Sequence, residues 1–179
     1  MNTANKLTML RVVLIPVFLI LLYWDVPFHM LYALVIFILA SVTDFVDGYI
    51  ARHYNMITDF GKFMDPMADK MLVMAALLWF VQMGRLPAWA MLIVIVREFA
   101  VTALRLMAVE RGRVIAAAWS GKVKTASTMV CIVLMLLPIP QVVDRICTAV
   151  IVLTTIYYGV EYFMKNLDIL AQASEEETG

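Results

Sequence analysis

Six long apolar stretches, each close to the length that crosses a bilayer, constrain this chain more than any other feature. They fall at residues 7–24, 28–52, 66–83, 88–109, 119–137 and 142–164. A spanning helix needs roughly 20 mainly apolar residues. The breaks carry turn and stop chemistry: Asp25-Val26-Pro27, Gly84-Arg85-Leu86-Pro87, Arg111-Gly112-Arg113 and Pro138-Ile139-Pro140. Hydrophobic residues make up 64% of the chain, far above the roughly 45–50% of soluble domains. The pattern predicts an all-α integral membrane protein with six transmembrane helices in one bundle. No repeat or linker interrupts it, so residues 1–173 read as one membrane domain and 174–179, with Glu175, Glu176 and Glu177, as a short acidic tail. Lys6 before the first run and Arg11 within it resemble the start of a signal peptide. Asp25-Val26-Pro27 follows instead of a small-residue cleavage site, which predicts a retained first span.

The 14 basic and 14 acidic residues cancel, so bulk charge points to no nucleic acid partner. Their placement says more. Lys6, Arg11, Arg52, Lys62, Arg111, Arg113, Lys122, Lys124 and Lys165 fall on one side of the alternating spans, and only Arg85 and Arg145 fall in the opposite loops. Cytoplasmic loops carry the excess of Lys and Arg. Both termini are therefore expected in the cytoplasm, in a multi-pass protein of the cell membrane. Cys131 and Cys147 lie inside apolar runs, where cysteine behaves as a small hydrophobe.

Four carboxylates break this apolar background in the pattern D-x2-D-G-x2-A-R-x8-G-x3-D-x3-D, formed by Asp44, Asp47, Gly48, Ala51, Arg52, Gly61, Asp65 and Asp69. Ionised groups bordering hydrocarbon are costly unless they bind something. Asp44, Asp47, Gly48 and Ala51 recur at i, i+3, i+4 and i+7, one face of a helix. Asp65 and Asp69 share a face of the next span, with Pro66 suited to its first turn and residues 53–64 as the joining loop. Both pairs then reach the same cytoplasmic edge and form a four-carboxylate pocket. Oxygen ligands of this kind suit hard cations, Mg²⁺ first, then Mn²⁺, with Ca²⁺ a further option. Four carboxylates suggest two ions, as in two-metal phosphoryl chemistry, and Arg52 adds a fork-shaped cation suited to phosphate. His53 lies off the shared face, which argues against zinc. The alternative, aspartates merely paired with Lys62, Lys70 and Arg52 at the interface, does not account for eight positions at fixed spacing.

These eight positions resemble the signature of the CDP-alcohol phosphotransferase family, and the six-span layout extends the resemblance over nearly the whole chain. The family transfers a substituted phosphate from a CDP-linked donor to an alcohol and releases CMP. The resemblance implies that Asp44, Asp47, Asp65 and Asp69 hold two Mg²⁺ or Mn²⁺ ions and that Asp69 is also the general base. It implies a CDP-donor site at Asp44, Gly48, Ala51, Arg52, Gly61 and Asp65, and a homodimer. Three further segments are similar to the branch that uses glycerol 3-phosphate: Asn5-Lys6-Leu7-Thr8-Met9-Leu10-Arg11 with Ile15-Pro16, Arg97-Glu98 followed by Thr102 and Arg105, and Gly121-Lys122-Val123-Lys124-Thr125. On that similarity CDP-diacylglycerol and glycerol 3-phosphate give phosphatidylglycerophosphate and CMP in phosphatidylglycerol biosynthesis. An anionic acceptor needs cations near the carboxylates, and Arg97, Arg105, Lys122 and Lys124, with Arg11, are the candidates. Arg97 also has a structural reading, as a pair with Glu98. One alternative keeps the chemistry with another acceptor, as in cardiolipin, phosphatidylserine or phosphatidylinositol-phosphate synthases. A divalent-cation transporter is the alternative from another class, but its acidic residues should extend along several helices. Spans 1 and 5 have none.

Overall fold

The computed structural model describes the backbone of residues 3–53, 59–110, 112 and 119–167 and, within these, the side chains of 9–43, 67–110, 112, 119 and 121–167. Among the described residues the chain forms six α-helices and no strand: α1 (Thr3–Tyr23), α2 (His29–His53), α3 (Asp59–Gln82), α4 (Ala88–Glu110), α5 (Trp119–Leu136) and α6 (Gln141–Met164). Each coincides with one apolar stretch of the sequence. The main departure is at α3, which begins at Asp59 and places Gly61, Asp65 and Pro66 inside the helix. Pro66 is therefore not a first-turn residue, and the expected loop 53–64 is shorter. Proline removes one amide hydrogen bond, yet its fixed φ near −65° is helical. Pro16 lies inside α1 in the same way.

Helix α1 packs along α2 and α3, α5 packs along α6, and α6 in turn packs on α4. Contacts of α5 with α2 and α3, and of α3 with α4, join these groups into one bundle. Phe18 of α1 meets Phe37 of α2 with ring centroids 5.8 Å apart. Leu72, Leu77 and Phe80 of α3, Ile132 and Leu136 of α5 and Ile151 of α6 complete a continuous buried core. Ala33, Ala40, Ala68, Ala76 and Ala90 are also buried; small residues there let backbones approach. Cys131 and Cys147 are free and buried.

The outer surface carries many large apolar side chains. Helix α4 exposes Trp89, Leu92, Val96, Phe99, Leu106 and Val109, while Arg11, Lys124, Thr128, Asp144, Thr148 and Thr155 are buried. Among the described residues Gln141–Met164 is long and apolar enough to cross a membrane by length and composition; the apolar stretches Met9–Tyr23 and His29–Thr43 are shorter.

One end of the bundle is closed by a specific clamp. Helix α3 terminates where Gly84 adopts φ +69°, a left-handed conformation that glycine takes without a Cβ penalty. The amides of Arg85 and Leu86 then donate back to the Phe80 carbonyl at 2.9 and 3.1 Å. Arg85 thereby lies over the Phe80 ring, 5.2 Å from its centroid, and donates through Nε and Nη2 to both carboxylate oxygens of Asp144 at 2.9 and 2.7 Å. Tyr23 donates to Gln82 at the same end, tying α1 to α3.

Candidate active site

Asp69 stands on α3 one residue before Lys70 and is half-buried. It borders a cavity of about 60 Å³ whose other polar walls are Lys70, Glu98 of α4, and Lys124, Thr125 and Thr128 of α5. The volume suits a few waters or one small polar group. Three helices thus deliver two carboxylates, two ammonium groups and two hydroxyls to one small space inside the bundle.

Glu98 organises the charges. Its Oε1 accepts from Lys124 Nζ at 2.7 Å and from Arg97 Nη1 at 2.9 Å, and its Oε2 lies 3.5 Å from Lys70 Nζ. Lys70 also donates to Thr102 Oγ1 at 3.0 Å, and that hydroxyl donates to the Glu98 carbonyl at 2.7 Å. The side chains of Glu98 and Lys124 are only 14% and 6% exposed, so each satisfies a charge that burial alone would make prohibitive. Thr128 Oγ1 donates to the Lys124 carbonyl at 2.9 Å, one turn further along α5.

The residues singled out in the sequence distribute as follows. Asp44, Asp47, Gly48, Ala51 and Arg52 fall in the last turns of α2; Gly61, Asp65 and Asp69 follow one another at four-residue intervals on α3. Helices α2 and α3 are in contact. Of these eight, only the side chain of Asp69 belongs to the described residues. Among the basic candidates, Lys124 lines the Asp69 cavity. Arg97 pairs with Glu98, and its Cγ would lie 3.1 Å from a Cβ built at Gly159, so its stem runs against α6. Arg105 also faces α6: Nε donates to the Tyr162 hydroxyl at 3.1 Å, with the guanidinium 5.5 Å from that ring's centroid. Lys122 is exposed, with Nζ 5.8 Å from the centroid of the Trp119 ring. Two residues apart on a helix is about 200° of rotation, which separates Lys122 from Lys124. Arg11 is fully buried on α1.

Sequence reasoning missed Lys70 and Thr128 as cavity residues and gave Glu98 no role beyond Arg97. The available signal was the position of Glu98 itself, an acid in the middle of an apolar span. Its contact with Lys124, 26 residues away, has no signature in spacing.

The donor chemistry suits a hard divalent cation. The carboxylates assigned to the pocket offer oxygen only, and Asp69 lines the cavity. The cysteines lie in α5 and α6 near Asp144 rather than at this cavity. Among the described residues no group of three or more His, Cys, Asp and Glu gathers at any point; of the four aspartates only the side chain of Asp69 is among them.

Comparison with known proteins bears on this arrangement. The family model described as CDP-alcohol phosphatidyltransferase matches residues 1–157. The chain is 42% identical over 187 aligned positions to the CDP-diacylglycerol–glycerol-3-phosphate 3-phosphatidyltransferase of Bacillus subtilis, covering 94% of this chain and 97% of the relative. It is 41% identical over 141 positions to the protein of the same name from Escherichia coli, covering 73% and 74%.

Proposed function

The chain belongs to the CDP-alcohol phosphatidyltransferase family, and from that premise we propose that it transfers the phosphatidyl group of CDP-diacylglycerol to glycerol 3-phosphate, giving phosphatidylglycerophosphate and CMP. The carrying observation is one cavity with Asp69 on one wall and the Lys124 ammonium on another. The first can take a proton from an alcohol; the second can hold that alcohol's phosphate.

Asp69 accepts the proton of the primary hydroxyl of glycerol 3-phosphate. The oxygen attacks the β-phosphorus of the donor, the bond from that phosphorus to the bridging oxygen breaks, and CMP departs with the electron pair. Asp69 then returns its proton to solvent. Asp44, Asp47, Asp65 and Asp69 would hold two divalent cations, Mg²⁺ or Mn²⁺, in a family that is generally divalent-cation dependent. Bound there, the cations supply charge neutralisation for the donor pyrophosphate and leaving phosphate. On the family resemblance, Gly48, Ala51 and Gly61 would leave room for the nucleotide and Arg52 would meet the donor phosphates. Positioning and electrostatics account for most of such catalysis.

This reading places the bundle in the cell membrane as six spans with both termini and the site on the cytoplasmic side. Its support is the apolar outer surface, the buried polar residues within and the one-sided distribution of Lys and Arg in the sequence. We assign it a homodimeric state on the family resemblance.

The deciding experiment supplies purified protein and CDP-diacylglycerol with a panel of alcohols. CMP is expected with glycerol 3-phosphate; CMP with serine or inositol phosphate but not with glycerol 3-phosphate would reject the acceptor. Chelation with EDTA should abolish CMP release and added Mg²⁺ should restore it, whereas full activity in excess chelator would remove the cations from the reaction. Lys124→Ala should raise the KM for glycerol 3-phosphate about tenfold or more, the loss of a charge-assisted hydrogen bond. An unchanged acceptor KM would move the phosphate site elsewhere.

A further inference from the structure

The buried charge cluster around Glu98 contains more than the proposed reaction uses. Lys124 is nearly buried, and its side chain has four rotatable bonds and three N–H donors. An ammonium group so placed needs an anion, and a lysine stem loses much rotamer freedom when fixed. Glu98 supplies that anion at 2.7 Å. The same oxygen, Oε1, also accepts from Arg97 at 2.9 Å, whose stem lies on Gly159 of α6. Glu98 also bears on Lys70, through its Oε2 and, by way of the Thr102 hydroxyl, through its backbone carbonyl, so cations from α3 and α5 are both referred to one residue of α4.

We infer that Glu98 is a positioning residue for the acceptor, holding the Lys124 and Lys70 ammonium groups in the wall of the Asp69 cavity so that an incoming phosphate monoester meets cations already in place. The inference rests on the reading that Lys124 receives the acceptor phosphate. Two features favour positioning over competition for the same lysine. Glu98 engages one of the three N–H donors of Lys124, which leaves two for a phosphate oxygen. Three cationic side chains, Lys70, Arg97 and Lys124, face this single carboxylate. A carboxylate held by three cations stays in place, and one that had to leave would be left buried without its partners.

The test measures acceptor KM, donor KM, kcat and Tm for the full-length enzyme with glycerol 3-phosphate and CDP-diacylglycerol. Glu98→Gln keeps the volume and removes the charge. It should raise the acceptor KM on the order of tenfold, leave the donor KM near wild type and lower Tm, since Lys124 loses its buried anion; Glu98→Asp should show a smaller rise in acceptor KM. In a Lys124→Ala background, Glu98→Gln should raise the acceptor KM by a smaller factor than it does alone, because one of the two groups it positions is gone. An unchanged acceptor KM in Glu98→Gln, an equal rise in donor KM, or a full additive effect in the double variant would each overturn the inference. Should Glu98→Gln fail to accumulate, Glu98→Asp decides on the same two KM values. If Lys124→Ala alone leaves acceptor KM unchanged, the underlying phosphate reading fails and this inference with it. If Lys124→Ala raises it and the Glu98 variants do not, only the positioning role falls.

Discussion

Asp69→Asn should lower CMP release from CDP-diacylglycerol and glycerol 3-phosphate by about 10²–10⁴-fold, the usual worth of a positioned general base, with little change in Tm. Asparagine has nearly the same shape as aspartate, so the half-buried site beside Lys70 and the α5 hydroxyls keeps its packing. What it loses is the capacity to accept the acceptor's proton. The amide carbonyl remains a weak oxygen ligand, so divalent-cation binding, followed by calorimetry or by cation-dependent Tm, should survive in part. A variant with near wild-type turnover would remove Asp69 as the base, whatever its standing as a ligand.

Asp144→Ala should be the most damaging change to stability. Asp144 is 4% exposed and receives two nearly parallel hydrogen bonds from Arg85. Breaking a buried pair by removing one partner costs about 3–5 kcal/mol, because the other charge is left stranded. In detergent this corresponds to a fall in Tm on the order of 10 °C. The double variant Arg85→Met with Asp144→Leu should recover much of the loss, since both charges leave together. A wild-type Tm in Asp144→Ala would show that Arg85 finds other partners or water at no cost.

The helices were readable because bilayer-length apolar runs and their breaks encode them directly. Asp25-Val26-Pro27, Gly84 to Pro87 and Pro138-Ile139-Pro140 all fall between helices. Pro66 misled the reading of α3, since a proline marks a first turn and an interior position almost equally well in a helix supported by its neighbours. The aspartate pattern was legible because helical spacing gathers residues of one element. The cation set was less so. Lys122 and Lys124 are adjacent in a motif yet lie on different sides of α5, a separation that helix geometry alone implies. Arg97 and Arg105 turn to α6, and Glu98 meets Lys124, through packing between helices distant in sequence. No periodicity within one helix contains that information.

The Arg85–Asp144 pair also has a mechanical meaning. Asp69 lies 13 residues before the end of α3, about 20 Å along its axis at 1.5 Å per residue. The clamp is a fulcrum and α3 a lever. A tilt of about 3° at the clamped end sweeps Asp69 by about 1 Å, and a misplacement of that size at a general base can cost about 10²-fold in rate. A loosened Arg85 variant, assayed well below its Tm, should therefore be slow before it is unfolded.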